Sequence, residues 1–413
     1  MDRYNKLYII LALSTLVKAI SVFIFHEKAL SDEWLVLFNN FEKYKIYSYY
    51  FLEGKQLPSS YMPPVYLFFL YLNKLLSLNL FNFLYLVYFS QIVLSILSVF
   101  LFYQICRNFF DEIISLIGTL IFALFPLLII TTALISSASI QIFFYLLFIY
   151  FSLHFIDNKK VNIFVYALVC AICLLLRGEF LVIFLLSLIF FIFFLKKKLK
   201  DLIILSIITL LFISPYLLRN YLNTEKIYIV NVSGYALWKG NNHLANIEGY
   251  HNSLHPNERN NWPQQNIFYE LYKNLDNLQI NKKYELARDR VFFNEAKKNI
   301  LNDKKKYFNL YLKKIMSFYF IDLNSTINNY YNFFHIAPIL FISILSLPGI
   351  FIAALQKKKV KLLYIFMLMT SLIFLISLFF ILPRYKISIL SFQIIFSLFT
   401  VDYLIKKINK LIK

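Results

Sequence analysis

The chain has 413 residues, of which 60% are hydrophobic, 19% aromatic and only 15% charged, against about 25% charged in an ordinary soluble domain. Its 42 Lys and Arg against 22 Asp and Glu give a net charge of +20, but the basic residues come in short runs between apolar blocks, the way membrane proteins carry positive charge. This argues against a soluble globular fold, a disordered chain and a nucleic-acid binder.

A membrane helix needs about 20 mostly apolar residues. Such stretches lie near 6–26, 83–104, 113–133, 137–156, 161–177, 179–195, 201–219, 335–355, 362–382 and 387–405. They predict an all-α membrane fold of ten transmembrane helices. The first is expected to be a retained span, since it holds Lys18 and lacks a small-residue cleavage site. The stretch 61–80 is ambiguous: it opens with Pro63-Pro64 and contains Asn73-Lys74. If it does not cross and the N-terminus is cytoplasmic, every basic run falls on the cytoplasmic side, from Arg107 and Lys159-Lys160 to Lys196–Lys198, Lys357–Lys359, Lys361 and the C-terminal lysines. The stretch is therefore expected to be an interfacial or re-entrant helix on the outer face. Cys106, Cys170 and Cys173 fall in or beside apolar blocks and read as packing residues rather than a disulfide framework or metal site.

This topology divides the chain into a seven-span module at 1–219, an extracytoplasmic loop domain at 220–334 and a three-span module at 335–413, with a first outer loop at 27–82. The loop domain is the polar part of the chain. Turn signals occur at Asn241-Asn242 and His255-Pro256-Asn257, and helical patterns run over 282–301 and 304–320. Asp303 is placed to N-cap the second helix, and Phe308, Tyr311, Leu312 and Ile315 predict its buried face. His243, His251 and His255 show no metal-ligand spacing. No cofactor is expected, and nothing in the sequence supports a divalent metal, which needs several oxygen ligands.

The informative charges are those that break the topology. Arg177 and Glu179 sit at one predicted outer junction, Arg219 follows the seventh span, and Arg384 and Lys386 flank Tyr385 before the last. Asp32 and Glu33 open the first outer segment. Charge at membrane depth is costly unless it pairs, snorkels or faces a cavity. One outer cavity with cations for a lipid phosphate and a carboxylate for general-base work accounts for the set.

These elements, taken in order, resemble the GT-C membrane glycosyltransferases, the group that includes aminoarabinose transferases and protein O-mannosyltransferases. The resemblance covers most of the chain. It rests on the acidic pair in Ser31-Asp32-Glu33-Trp34, the stretch with Glu53-Gly54, and Tyr61-Met62-Pro63-Pro64-Val65-Tyr66. Further on come Leu176-Arg177-Gly178-Glu179, Pro215 to Arg219-Asn220, the most specific element Gly234-Tyr235-Ala236-Leu237-Trp238-Lys239-Gly240-Asn241-Asn242, and Arg384-Tyr385. There are two departures. Met62 stands where some relatives carry Lys, and Ser136 to Gln141 lacks the acid many relatives have there.

The resemblance implies transfer of a sugar from a polyprenyl-phosphate donor to a lipid-linked glycan, lipopolysaccharide or protein acceptor on the outer face of the cytoplasmic membrane. The partners expected are the donor, the acceptor and membrane lipids, with no nucleic acid. Asp32 is the expected base with Glu33 its rival. Arg384, Arg219, Lys386 and Arg177 are expected at the donor phosphate. Tyr61, Pro63, Pro64, Tyr66, Glu179, Trp238, Asn241 and Tyr385 are expected to bind substrate. An O-antigen-type polymerase or ligase remains an alternative, as does a lipid-linked-sugar flippase, although no repeated halves are visible.

Overall fold

The structure is a computed structural model describing residues 2–26, 32–45, 50–52, 55–78, 80–195, 199–250, 268–320, 332–356 and 359–412; at 2–4, 32, 50–52, 55, 56, 359, 383 and 412 only the backbone is considered. Apart from a hairpin of two three-residue strands, β1 (Tyr50–Leu52) and β2 (Lys55–Leu57), its regular elements are helices. Ser31, Glu53-Gly54, Lys196–Lys198, His251, His255 and Lys357-Lys358 lie outside the described residues.

All ten expected spans are helical. α1 (Asp2–Phe25), α4 (Phe83–Cys106), α7 (Ala138–Ile156), α10 (Leu199–Thr224), α15 (Phe333–Ala354), α16 (Lys359–Ser377) and α17 (Ile387–Ile412) are long and apolar enough to cross a membrane. The chain is a multi-pass membrane protein. The remaining three expected spans are shorter: α5 (Glu112–Leu124) has 13 residues, α8 (Ile163–Leu176) 14 and α9 (Phe180–Phe194) 15. At 1.5 Å per residue they measure about 20–23 Å, below the hydrocarbon thickness of about 30 Å. The causes are local. Pro126 stops α5 and restarts the chain as α6 (Pro126–Ile130). α8 and α9 are separated by the extended backbone of Arg177 (φ −151°, ψ 123°). Asn82, Asp111, Asn162 and Asn332 each start a helix by accepting from a backbone N–H of its first turn.

Alternate loops meet at opposite ends of the bundle. At one end Lys361 Nζ donates to Asn108 and Asp157, joining the loops after α4 and α7 to the start of α16. At the other end Arg177, after α8, donates to Gln141 of α7, which donates to Ser388 of α17. Within the bundle α15 lies so close to α17 that a Cβ on Gly349 would sit 1.9 Å from the Phe396 carbonyl oxygen.

The second end carries the polar elements. α2 (Asp32–Tyr44) and α3 (Pro64–Leu76) pack on each other, and α3 also packs on α4 and α8. Pro64 takes the first helical position of α3, where its missing N–H costs nothing. The segment expected to form the loop domain holds α11 (Ser233–Gly240), α12 (Tyr269–Asp276), α13 (Tyr284–Asn302) and α14 (Lys304–Ser317). Its core gathers Trp238, Tyr250, Phe268, Leu271, Leu275, Phe292 and Ala296. Asp303 does cap α14, accepting from Lys306 N at 3.0 Å. The expected buried face of α14 is corrected in part: Tyr311 and Ile315 are half-buried, Ile315 against the bundle core, but the other two residues are not. Phe308 is 62% exposed and Leu312 43%, while Tyr307, Lys314 and Ser317 are buried. The inward side includes Lys314, which meets three oxygen acceptors there.

Candidate functional site

The acidic pair opens α2, and the helix is pinned to α3 by its next residue. Trp34 is buried and meets Tyr66 edge to face at 4.8 Å between centroids. Tyr66 OH donates to Gln91, whose amide donates to the carbonyls of Thr132 and Leu134. Tyr66 is thus a buried anchor, which corrects its expected substrate contact. The side chain of Asp32 lies outside the described atoms; Glu33 is exposed.

Opposite stands Lys239 in α11. Its ammonium lies over the Phe380 ring, 5.2 Å from the centroid. Burial lowers its pKa; the nearby Glu33 carboxylate opposes that, and the Arg384 guanidinium adds to it. Glu33, Lys239 and Arg384, from three distant parts of the chain, therefore share one electrostatic neighbourhood.

Arg384 is exposed, with its guanidinium carbon 5.7 Å from the Tyr385 ring centroid; Arg177 lies 5.8 Å from the same ring. Arg177 also pairs with Glu179 at 3.8 Å. Gln141, at the stretch that lacks an acid, accepts from Arg177 Nε at 3.0 Å. The result is an open face on which Arg384, Lys239 and Arg177 offer positive charge and Glu33 and Glu179 negative charge.

The remaining cations have other surroundings. Arg219 donates to the Ser59 carbonyl at 2.7 Å and to Asn220 at 2.8 Å. Ser60 N donates to Glu285, and Ser60 O accepts from Asn231 N. Arg219 thereby braces the turn that leads into Tyr61-Met62-Pro63-Pro64, and its described bonds do not reach the Arg384 face. Burial pushes the Glu285 carboxyl up to about 7, against the hydrogen bonds from Ser59 and Ser60 and the charges of Arg288 and Arg219. Lys386 is buried and donates to the Phe320 carbonyl. Tyr61 is half-buried, 6.5 Å from the Tyr235 ring, beside the half-buried Pro63 and Pro64.

The Gly-x-x-Leu-Trp-x-Gly-Asn-Asn element holds this face together from behind. Asp289 accepts from the N–H groups of Gly234 and Tyr235 and so caps α11. Trp238 is 0% exposed, enclosed by Tyr250, Phe268 and Phe292, so its expected substrate contact gives way to a core role. A Cβ on Gly240 would stand 1.9 Å from the Phe379 carbonyl oxygen. Asn241 Nδ2 donates to Leu378 O at 2.8 Å, which likewise makes it a brace and corrects its expected role. Ile381 N donates to Ile247 O. Lys314 completes the knot: buried, it donates to Gly240 O at 2.8 Å, to Asn241 Oδ1 at 3.3 Å and to Phe379 O. Gly240-Asn241, Ile247 and Lys314 thus fix the chain just before Pro383-Arg384-Tyr385. Sequence reasoning missed Lys314, which reads as a solvent residue on a basic helix. Lys239 lay within a recognised motif but carried no signal of its own.

Among the described residues no three His, Cys, Asp or Glu side chains converge on a metal-sized site. Among the described carboxylates of this face, Glu179 pairs with Arg177 and Glu33 lies near enough to Lys239 to favour its charged form.

No family model and no curated protein matches the chain. Among solved structures it is similar to the oligosaccharyltransferase AglB of Archaeoglobus fulgidus in complex with an inhibitory peptide and a dolichol-phosphate. The TM-score is 0.56 at 12% identity, over 98% of this chain and 51% of that one. The oligosaccharyltransferase of the same archaeon in complex with Zn and sulfate gives 0.55 at 11% identity, over 97% and 49%. The chain spans about half the length of these structures. At such identity the likeness establishes the fold: it is of the GT-C type, as the sequence resemblance anticipates.

Proposed function

We propose that this chain is a membrane glycosyltransferase that moves a sugar from a polyprenyl-phosphate donor to a lipid-linked glycan, lipopolysaccharide or protein acceptor on the outer face of the cytoplasmic membrane. The observation that carries this reading is the polar-end turn at Arg384-Tyr385, where Arg384 and Arg177 flank the Tyr385 ring and Lys239 lies over Phe380, near enough to Glu33 and Arg384 to feel both charges. The solved AglB structure holds a dolichol-phosphate and a peptide, which supports the same general classes of donor and acceptor here. The outward orientation of the polar end rests on the positive-inside pattern: Arg107, Lys159, Lys160, Lys361 and the C-terminal lysines belong to the opposite end.

Chemically, a carboxylate of the acidic pair takes the proton from the acceptor hydroxyl. The acceptor oxygen bonds to the anomeric carbon while the bond from that carbon to the phosphate oxygen breaks. The electron pair leaves with the phosphate, where Arg384 and Lys239 stabilise the charge. Arg177 holds Tyr385 and Glu179 in place beside it. Asp32 is the proposed base, with Glu33 as its close neighbour. Inversion at the anomeric carbon is implied by the family resemblance.

Glycolipid and glycoprotein analysis of cells lacking this protein tests the reading. Loss of one sugar from an envelope glycan, with build-up of its polyprenyl-phosphate form, is expected. An unchanged glycan profile in cells that normally make the protein would overturn it.

A further inference from the structure

A second basic feature of the loop domain lies outside the face just described. A cavity of about 600 Å³ opens between α14 and the segment 245–247, lined by Ala245, Asn246, Ile247, Lys306, Asn309, Leu310 and Lys313. Lys306, Asn309, Leu310 and Lys313 follow the i, i+3, i+4, i+7 spacing of one helix face. Among the described residues neither lysine has a carboxylate in ion-pair contact. Lys306 Nζ donates to the His243 carbonyl at 3.1 Å, and the nearby Asp303 carboxylate is engaged by the backbone N–H of Lys306.

Beside this face, about 110° round the helix at 100° per residue, runs an exposed apolar stripe of Phe308, Leu312 and Met316. The helix also descends along the bundle. Tyr311 OH donates to Phe374 O near the end of α16, and Tyr319 OH reaches Met369 Sδ further down the same helix. A water-facing helix has no reason to expose such a stripe, whereas a helix at a membrane boundary does. Lys306 stands one residue pair above that stripe and Lys313 level with its middle, beside Leu312, so that both ammonium groups can reach up to one head group between them.

We infer that this cavity is a binding site for the phosphate head group of an anionic membrane phospholipid, held by Lys306 and Lys313 with its acyl chains along Leu312 and Met316. Neither Arg384 nor Lys239, the residues proposed at the donor phosphate, lines this cavity. Its role would be to seat the loop domain on the leaflet through a bound lipid.

The test is native mass spectrometry of the full-length protein in detergent with added phosphatidylglycerol or phosphatidylcholine, with inorganic phosphate as competitor. Retention of phosphatidylglycerol over phosphatidylcholine is expected. Lys306→Gln combined with Lys313→Gln should reduce that retention about tenfold, while Lys297→Gln with Lys298→Gln on α13 should leave it unchanged. Equal retention of both lipids, or no loss in the Lys306/Lys313 variant, would overturn the proposal. Displacement of the lipid by millimolar phosphate alone would overturn the lipid assignment. None of these outcomes depends on glycosyl transfer, so failure of the one reading is distinct from failure of the other.

Discussion

The indole of Trp34 meets the phenol ring of Tyr66 edge to face, 4.8 Å between centroids. Through this pair the helix that begins with the acidic residues is fastened to the helix that begins with Pro63-Pro64, and through Gln91 to the backbone of 132–134. Two short sequence elements some thirty residues apart thus become one rigid support.

Removing that fastening should loosen the acidic pair. Trp34→Ala is expected to cost about 3–5 kcal/mol, the usual range for losing a buried Trp side chain. Trp34→Phe keeps a ring against Tyr66 and should retain most of the stability. Thermal unfolding in detergent measures both. Transfer by the folded fraction should fall in Trp34→Ala and not in Trp34→Phe.

Two buried ionisable groups, Glu285 and Lys314, set opposite pH slopes. Burial raises the Glu285 carboxyl from 4.5 to about 7, so between these values the folded state holds a proton that the unfolded state has lost, and stability falls as pH rises. Burial lowers Lys314 from 10.5 to about 7, so above pH 7 the unfolded state binds the extra proton and stability rises with pH toward 10.5. Unfolding midpoints measured across pH should lose the first slope in Glu285→Gln and the second in Lys314→Met. Persistence of either slope in its variant would remove that assignment.

Gly240 and Gly118 offer a matched contrast. A Cβ at Gly240 meets the Phe379 backbone oxygen at 1.9 Å, while at Gly118 it meets the mobile end of the Leu398 side chain at 2.4 Å. Gly240→Ala must shift the backbone leading to Arg384, at about 1–3 kcal/mol or more, and should depress transfer. Gly118→Ala should be the milder change by unfolding and leave transfer near normal.

Much of this was legible in the sequence. The spans announce themselves because lipid demands long apolar runs, and the Asp303 cap because a carboxylate before a helical pattern satisfies its first N–H groups. Other features were hidden by their range. Lys314 is recognised only by acceptors 65 to 74 residues away, and Trp238 reads equally as a sugar platform or a core residue until its neighbours are known. The α14 stripe was visible as a period, but a period says that a face leaves water, not whether it meets protein. The period therefore places Phe308 and Leu312 on a buried side, whereas in the fold they are exposed.

The two arginines near the polar end should behave differently. Arg219 is bonded to Ser59 and Asn220, and Arg219→Ala should lower stability by about 1.5–3 kcal/mol, with turnover of the folded fraction changed little. Arg384→Ala, on an exposed turn, should leave unfolding nearly unchanged and lower turnover by about 10²-fold, the scale of losing one donor to a developing negative charge. Measuring both quantities on both variants separates bracing from catalysis.

The central claim is that the acidic pair at the head of α2 activates an acceptor facing Arg384 and Lys239. Its most direct measurement is the rate of sugar transfer from a polyprenyl-phosphate donor by purified, folded Asp32→Asn, Glu33→Gln and the double variant. A loss of about 10²–10⁴-fold in Asp32→Asn and in the double variant, with unfolding unchanged, is the predicted result. A loss confined to Glu33→Gln and the double variant would move the base by one residue. Near-normal transfer by the double variant would contradict the account.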